Sequence, residues 1–437
     1  MTWPCQLRCW LTPDNVRRYS VTSRPRRIST AVHFYQNRQL ELYAAKEAQR
    51  LTLRQLVFFG RNMNEERLIK SANYVRTELP VRIAHRLRDM QALPYVVMNQ
   101  EGVTNVYELY WSAFEKFRRY PQVNTIAENE SFCVFLRGIL DEHKAAIPNL
   151  SLGLSLASPY LSPDRLDSFM RRMLVSRISR RVLAEHHIAL SKTLALERDG
   201  DISPKDNVGI IYTNLSVKDS IEKCARFLRK RPVDVDRDAI PGSDAPWSEV
   251  TIDGHLDTAF AYIREHLEYI IFELLKNSFR ATRLKHPDAT VLPPIHATVV
   301  SGENDICIRF SDQGGGLLSS EIKSPLDLFS FSHIRNATRL HDSRLGALRT
   351  ISTSSRGMTA TVDEQLKLWQ QGSDCADPEQ EAGVLPHPRI GIGLPMSNIF
   401  ATYFGGSLEL VSLDGYAGTD VYVRLPRLGT NLEGIEV

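Results

Sequence analysis

The chain has 437 residues, more than one ordinary domain needs, and its 43% hydrophobic and 24% charged residues are globular values that exclude global disorder. A formal net charge of +3 is too small to argue for a nucleic-acid partner. No apolar run approaches the roughly 18–20 residues of a membrane span and no secretory core is present, so a soluble protein is expected.

Residues 1–30 hold six arginines, no lysine, several Ser/Thr and one acid, Asp14. An Arg- and Ser-rich, acid-poor start is the make-up of a mitochondrial transit peptide, and import into the matrix is expected. A basic tail that contacts nothing is the plainer reading. Six cysteines (Cys5, Cys9, Cys133, Cys224, Cys307, Cys375) show no CxxC or Cys/His spacing, so neither a zinc site nor a disulfide framework is supported.

From about residue 38 to 200 the pattern is helical. RQLELYAAKEAQRLTLRQLVFF, RLIKSANYVRTELPVRIAHRLRDM, VYELYWSAFEKFRRY, FCVFLRGILDEHKAAI and LDSFMRRMLVSRISRRVLAEHHIALSKTL each suit a 3.6-residue period. Pro80, Pro94, Pro121 and Pro148 are expected to punctuate them, which gives an up-and-down bundle of four-helix type over 31–206.

After Asp206 the character changes. NVGIIYTNL reads as a strand, KDSIEKCARFLRKR as a helix, and VDVDRDAIPGSDAPW as a polar connection. Next comes HLEYIIFELLKNSFRAT, a helix with an apolar stripe of Leu267, Ile270, Ile271, Leu274 and Ser278. Its other face carries Glu273, Lys276, Asn277 and Arg280. IHATVVSG, DICIRFSD, SLELVSL and TDVYVRL alternate as strands, with Ile306, Ile308 and Phe310 facing one way. The expected fold is α+β: the helical bundle, then an α/β sandwich over 207–437 with helices on one face. Between about 317 and 389 the pattern fails, and an insert of that length reads as a lid or as disorder.

Three segments of this second half carry chemistry. Glu273 and Asn277 lie one turn apart on one helical face. SDQGGGL ends a strand at Asp312 and follows it with Gly314, Gly315 and Gly316. IGIGLPMSNIFATYFGG places Gly391 and Gly393 before a helix that opens at Pro395 and closes at Gly405–Gly406, a layout suited to phosphate at a helix N-terminus. Each has a plain alternative, since glycine turns are common and a buried Glu/Asn pair can be a satisfied structural network.

In this order the segments resemble the N-box, DxGxG box and GxG box of the ATP-binding fold shared by gyrases and histidine kinases. FELLKNSFRAT narrows the likeness to the mitochondrial 2-oxo acid dehydrogenase kinases, the pyruvate dehydrogenase kinases and the branched-chain 2-oxo acid dehydrogenase kinase. SANYVRTELPVRIAHRLRDMQALPY, VYELYWSAFEKFRRYP, LDEHKAAI, SRISRRVLAEHHIAL, GIIYTNLS and GTDVYVRL resemble family segments in the expected order. The likeness covers roughly 31–437 apart from the insert.

The resemblance implies an ATP- and Mg²⁺-dependent protein serine kinase acting on the decarboxylase alpha subunit of a 2-oxo acid dehydrogenase complex. It implies docking on the lipoyl domain of the acyltransferase core through the helical half, and a homodimer. By the same likeness Glu273 is the general base, Asn277 the Mg²⁺ ligand, and Asp312 the acceptor for the adenine amino group. Gly314 and Gly316 let the base approach; Gly391, Gly393 and Leu394 wrap the phosphates; Thr419 lies near the adenine. Ser332 and His333 stand for the lid contacts, and Arg280 either touches nucleotide or holds the helix. His143 and His186–His187 read as packing residues, not phosphoacceptors.

The chain departs from the family in having Arg389 where a further glycine is usual, and in its longer insert. TELPVRIAHR, VYELY and AEHHIAL lean to the branched-chain kinase. So does Tyr269, which stands where many pyruvate dehydrogenase kinases carry His; a pyruvate dehydrogenase kinase is the alternative. A nucleotide-binding pseudokinase, a gyrase-type machine and a histidine kinase are further readings.

Overall fold

A computed structural model describes residues 37–199, 206–230, 247–317, 325–332, 391–412, 417–429 and 431–435. The Arg-rich start, the polar connection after 230, most of the insert, His333 and Arg389 lie outside the described residues. The described residues from Gln39 onward belong to one compact unit, which carries both the helical half and the sheets.

Helices α1 (Arg38–Ala44) and α2 (Leu53–Gly60) replace the single helix expected from residue 38 to 59. The break falls at Thr52, whose hydroxyl accepts from the Gln55 N–H while Gln55 Oε1 accepts from the Thr52 N–H. That reciprocal capping box starts a new helix where periodicity alone sees one.

Then come α3 (Glu65–Gln91), α4 (Tyr95–Met98), α5 (Glu101–Arg119), α6 (Ile126–Glu142), α7 (Ala146–Leu156) and α8 (Pro163–Arg198). Pro80, expected to punctuate the helical pattern, lies buried inside α3, which runs on through it. Pro148 likewise lies inside α7. An interior proline costs about 3 kcal/mol, which the packing of a long helix offsets. Helix α3 packs on α5 and α8, α5 on α7, and α6 on α8. Phe114, Phe117, Phe132 and Phe169 fill the core between them.

In the second half, β1 (Asn207–Val208), β2 (Ile211–Ser216) and β4 (Ala259–Ile263) form a three-stranded antiparallel sheet, with α9 (Val217–Lys230) following β2. A five-stranded sheet has the order β3-β5-β6-β8-β7. It comprises β3 (Val250–Gly254), β5 (Ile295–Ser301), β6 (Asp305–Asp312), β7 (Ser407–Val411) and β8 (Thr419–Pro426). Only the β3–β5 pair is parallel.

Strands β3 and β4 were not expected from the sequence. VTIDG is short and lies half-exposed at a sheet edge, so the alternation of Val250 and Ile252 with Thr251 and Asp253 is too brief a signal to mark a strand. In β6, Ile306, Ile308 and Phe310 are fully buried as the alternation predicts. Helix α10 (Arg264–Lys285) packs against β6, and α11 (Gly393–Thr402) packs against α10, β7 and β8.

Candidate active site

Helix α10 positions the first group. Leu267, Ile270, Ile271, Leu274 and Leu275 are buried, and this stripe fixes the helix by removing apolar surface from water. Glu273 is only 5% exposed, while Asn277 and Arg280 are half-buried at the next positions of the same face. Lys276, on the polar face of the helix, pairs with the Glu273 carboxylate at 2.6 Å. Its i, i+3 spacing from Glu273 was the available signal.

The glycine loop meets that carboxylate. Gly391 adopts φ +67°, a backbone that glycine takes without strain, and α11 begins two residues later. A Cβ at Gly393 would run into Glu273, so the first turn of α11 reaches the carboxylate only because no side chain is there. Leu394 is half-buried beside it. The first-turn N–H groups of a helix attract negative charge, which suits both a neighbouring carboxylate and a phosphate. The far end closes in a Schellman motif: Gly405 donates to Thr402 O at 3.0 Å and Gly406 to Ala401 O at 3.1 Å, with Gly405 at φ +83°.

Asp312 forms the third corner. It is 4% exposed and pairs in register with Thr419 across β6 and β8. Its carboxylate accepts from the Gly314 N–H at 2.9 Å, and from the Ser278 hydroxyl and the Thr419 N–H. Burial nevertheless pushes its pKa above the usual carboxylate range. Gly314 is needed for close approach, since a Cβ there would meet Ala281 of α10. Gly316 adopts φ +79°. Ser278 is thus a site residue that its place on the apolar stripe concealed. The signal was its adjacency to Asn277.

The structure therefore brings Glu273, Asn277, Asp312, Gly314, Gly393 and Thr419 around one helix. Ser332 is buried on a separate segment: its N–H donates to Ser330 Oγ at 3.1 Å, and Ser330 Oγ and the Phe331 N–H donate to Asp167 of α8 at 2.6 and 2.7 Å. That segment follows a 3₁₀ turn, Pro325–Phe329, packed on α11.

Tyr269 is buried 4.9 Å from the Phe400 ring of α11, and burial together with the Glu273 charge drives its hydroxyl well above the usual range. The histidines read as packing residues are buried. His187 Nε2 donates to Asn129 Oδ1 at 3.0 Å and its Nδ1 accepts from Ser71 at 3.0 Å, a pairing that fixes the neutral ring. Burial pushes both His186 and His187 down to about 4. His143 stacks on Tyr110 at 5.1 Å.

Among the described residues no group of three His, Cys, Asp or Glu side chains forms a metal cluster. The half-buried Asn277 amide, one turn along α10 from Glu273, suits Mg²⁺ carried on a nucleotide, because that ion takes few protein ligands and completes its shell with phosphate and water.

The Glu273 carboxylate thus lies against the glycine-led start of α11, with the Asn277 amide one turn further along α10. Residues 50–212 match the family model described as mitochondrial branched-chain alpha-ketoacid dehydrogenase kinase. Over most of the chain the similarity is to mitochondrial pyruvate dehydrogenase (acetyl-transferring) kinases. The kinase of Arabidopsis thaliana is 29% identical, covering 88% of this chain and 92% of the relative. Kinase 2 of Saccharomyces cerevisiae is 28% identical, covering 91% and 86%. Isozyme 4 of Rattus norvegicus is 27% identical, covering 91% and 85%. All of these matches are to mitochondrial 2-oxo acid dehydrogenase kinases. The lean to the branched-chain member is not shown, because the whole-chain relatives carry the pyruvate name and only the family model carries the branched-chain one.

Proposed function

We propose that the chain is an ATP-dependent protein serine/threonine kinase that phosphorylates the decarboxylase alpha subunit of a mitochondrial 2-oxo acid dehydrogenase complex, and that this complex is pyruvate dehydrogenase. The observation that carries the reading is the meeting of Glu273 with Gly393, which joins the helix motif to the glycine loop. The names of the relatives supply the substrate class and the mitochondrial location. The Arg-rich first thirty residues support import, with the matrix as destination. No helix of the described residues is long and apolar enough to cross a membrane.

In this reading the second half is an ATP-binding domain of the gyrase and histidine-kinase type, and the helical half is a bundle that docks on the lipoyl domain of the acyltransferase core. Two such chains associate through their second halves. Bound Mg²⁺·ATP supplies the phosphoryl group, and the protein's work is positioning and electrostatics. Asn277 holds the metal through its amide oxygen. Gly391, Gly393 and Leu394 present backbone N–H groups to the phosphates. Asp312, braced by Ser278 and Thr419, accepts from the adenine amino group, and Gly314 and Gly316 let the base lie close. Glu273 accepts the proton of the substrate serine, with Lys276 and the first turn of α11 orienting its carboxylate. Arg280 and Ser332 line the approach to the nucleotide.

Labelled phosphate transfer from ATP to the purified pyruvate and branched-chain complexes tests this. Label on serine of the pyruvate decarboxylase is expected; ATP hydrolysis without protein label removes the kinase reading. The family model's description favours the branched-chain complex as the second reading, and label on that enzyme alone would establish it.

A further inference from the structure

The most deeply buried ion cluster among the described residues lies away from the glycine loop, at the other end of its helix. Arg82 of α3 is 1% exposed and holds two carboxylates. Its Nε donates to Glu78 Oε1 at 2.9 Å, and Nη2 and Nη1 donate to Glu433 Oε1 and Oε2 at 2.8 and 3.1 Å. Nη2 also donates to Gln49 O at 2.6 Å.

Glu433 accepts two further bonds, from the Leu51 N–H at 2.9 Å and from the Tyr403 hydroxyl at 2.5 Å. Backbone bonds complete the attachment: Glu433 N–H to Leu51 O at 2.9 Å and Gly434 N–H to Tyr403 O at 2.8 Å. Leu432 bridges Thr52 in antiparallel fashion. The segment 431–435 is therefore a strap joining α3, the 49–52 connection and the end of α11.

Tyr403 directly follows α11, whose first residue touches Glu273. A ten-residue helix is a rigid rod of about 15 Å, so fixing one end fixes the other. The same end is held a second time, where Arg171 of α8 donates to Thr402 Oγ1 at 3.2 Å. Apolar packing could join two helices equally firmly, since a buried ion pair is a weak source of stability compared with a well-packed hydrophobic replacement. A bidentate guanidinium–carboxylate pair adds directional geometry, which apolar contacts lack.

We propose that Glu433 is a positioning residue for the phosphate-binding loop: through Tyr403 it locks α11 in place relative to α3 and so sets the fit of the glycine loop to nucleotide. The proposal rests on α11 carrying that loop. The helical half thereby gains control of nucleotide affinity without touching nucleotide.

The test uses the full chain with ATP as probe, measuring Kd, KM, kcat and Tm. Glu433→Ala is expected to raise both Kd and KM for ATP about tenfold or more with kcat within threefold. Glu433→Gln, which keeps an acceptor for Tyr403 and Leu51, recovers most of the affinity. Leu190→Ala, a core truncation in the helical half, lowers Tm and leaves Kd unchanged. Should Glu433→Ala fail to fold, Arg82→Lys carries the test: it keeps the charge, gives up the fork, and raises Kd threefold or more. Lowered Tm with unchanged Kd in the folded variants overturns the proposal. Wild-type chain that binds no ATP overturns instead the functional reading beneath it, and the strap with it.

Discussion

Glu273 and Glu433 are both almost fully buried carboxylates in the same unit, yet their surroundings differ in kind. Glu433 accepts from a guanidinium fork, a hydroxyl and a backbone N–H, so its capacity is filled by groups from three parts of the chain. Among the described residues Glu273 has one ammonium, Lys276, and it lies against a helix start that has no side chain. A saturated carboxylate holds structure, whereas one with unfilled acceptor capacity beside a glycine loop is placed for a reacting group.

The difference is sharpest in catalysis. Glu273→Gln is expected to lower phosphoryl transfer by about 10²–10⁴-fold, the usual share of a general base, with the Kd for ATP within threefold. Unchanged transfer, followed by labelled phosphate on serine, would remove Glu273 as the base. Next in size is Gly393→Ala. Its methyl group must displace either the carboxylate or α11, and a misplacement of about 1 Å near the reacting atoms costs about a hundredfold in kcat/KM. Wild-type rates in this variant would show that the contact is not part of the working geometry.

In stability the order of the two carboxylates reverses. Glu433→Ala leaves Arg82 buried without its main partner and is expected to cost about 3–5 kcal/mol in denaturant unfolding. Glu273→Gln is expected to leave stability unchanged or slightly raised, because groups held for function are seldom optimal for folding. Equal losses for the two variants would erase the distinction.

The smallest effect is a pH dependence at Asp312. Burial raises its folded pKa, so its contribution to stability is present below the unfolded value, near 3.8, and is lost as pH rises through the folded value. Wild-type protein is therefore expected to lose stability relative to Asp312→Asn over that acidic window as pH increases. The opposite slope in unfolding measured across the window would show that the Gly314, Ser278 and Thr419 bonds outweigh burial.

The parts legible in the sequence were those fixed by local chemistry. The stripe on α10, the alternation of β6 and the glycine closure of α11 each follow from neighbours a few residues apart. Glu273 and Asn277 were legible because i, i+4 spacing fixes a shared face. Distance in the chain hid the rest. Ser278 looked apolar-facing because nothing local says that Asp312 lies opposite. Pro80 looked like punctuation because its tolerance depends on the packing of α5 and α8. The edge strand β3 is too short for its alternation to stand out, and the Arg82–Glu433 pair joins residues that no periodicity connects. The substrate preference read from short segments is not shared by the names of the whole-chain relatives.

One feature of the sheet reaches beyond the site. Asp312 and Thr419 face each other only when β6 and β8 align in a single register, and a slip of one residue would turn every side chain of a strand to the opposite face. A ligand that needs both groups recognises correctly threaded chains and ignores misaligned ones. On the proposed reading nucleotide is such a ligand, and supplied during refolding it is expected to enrich the properly aligned population by mass action.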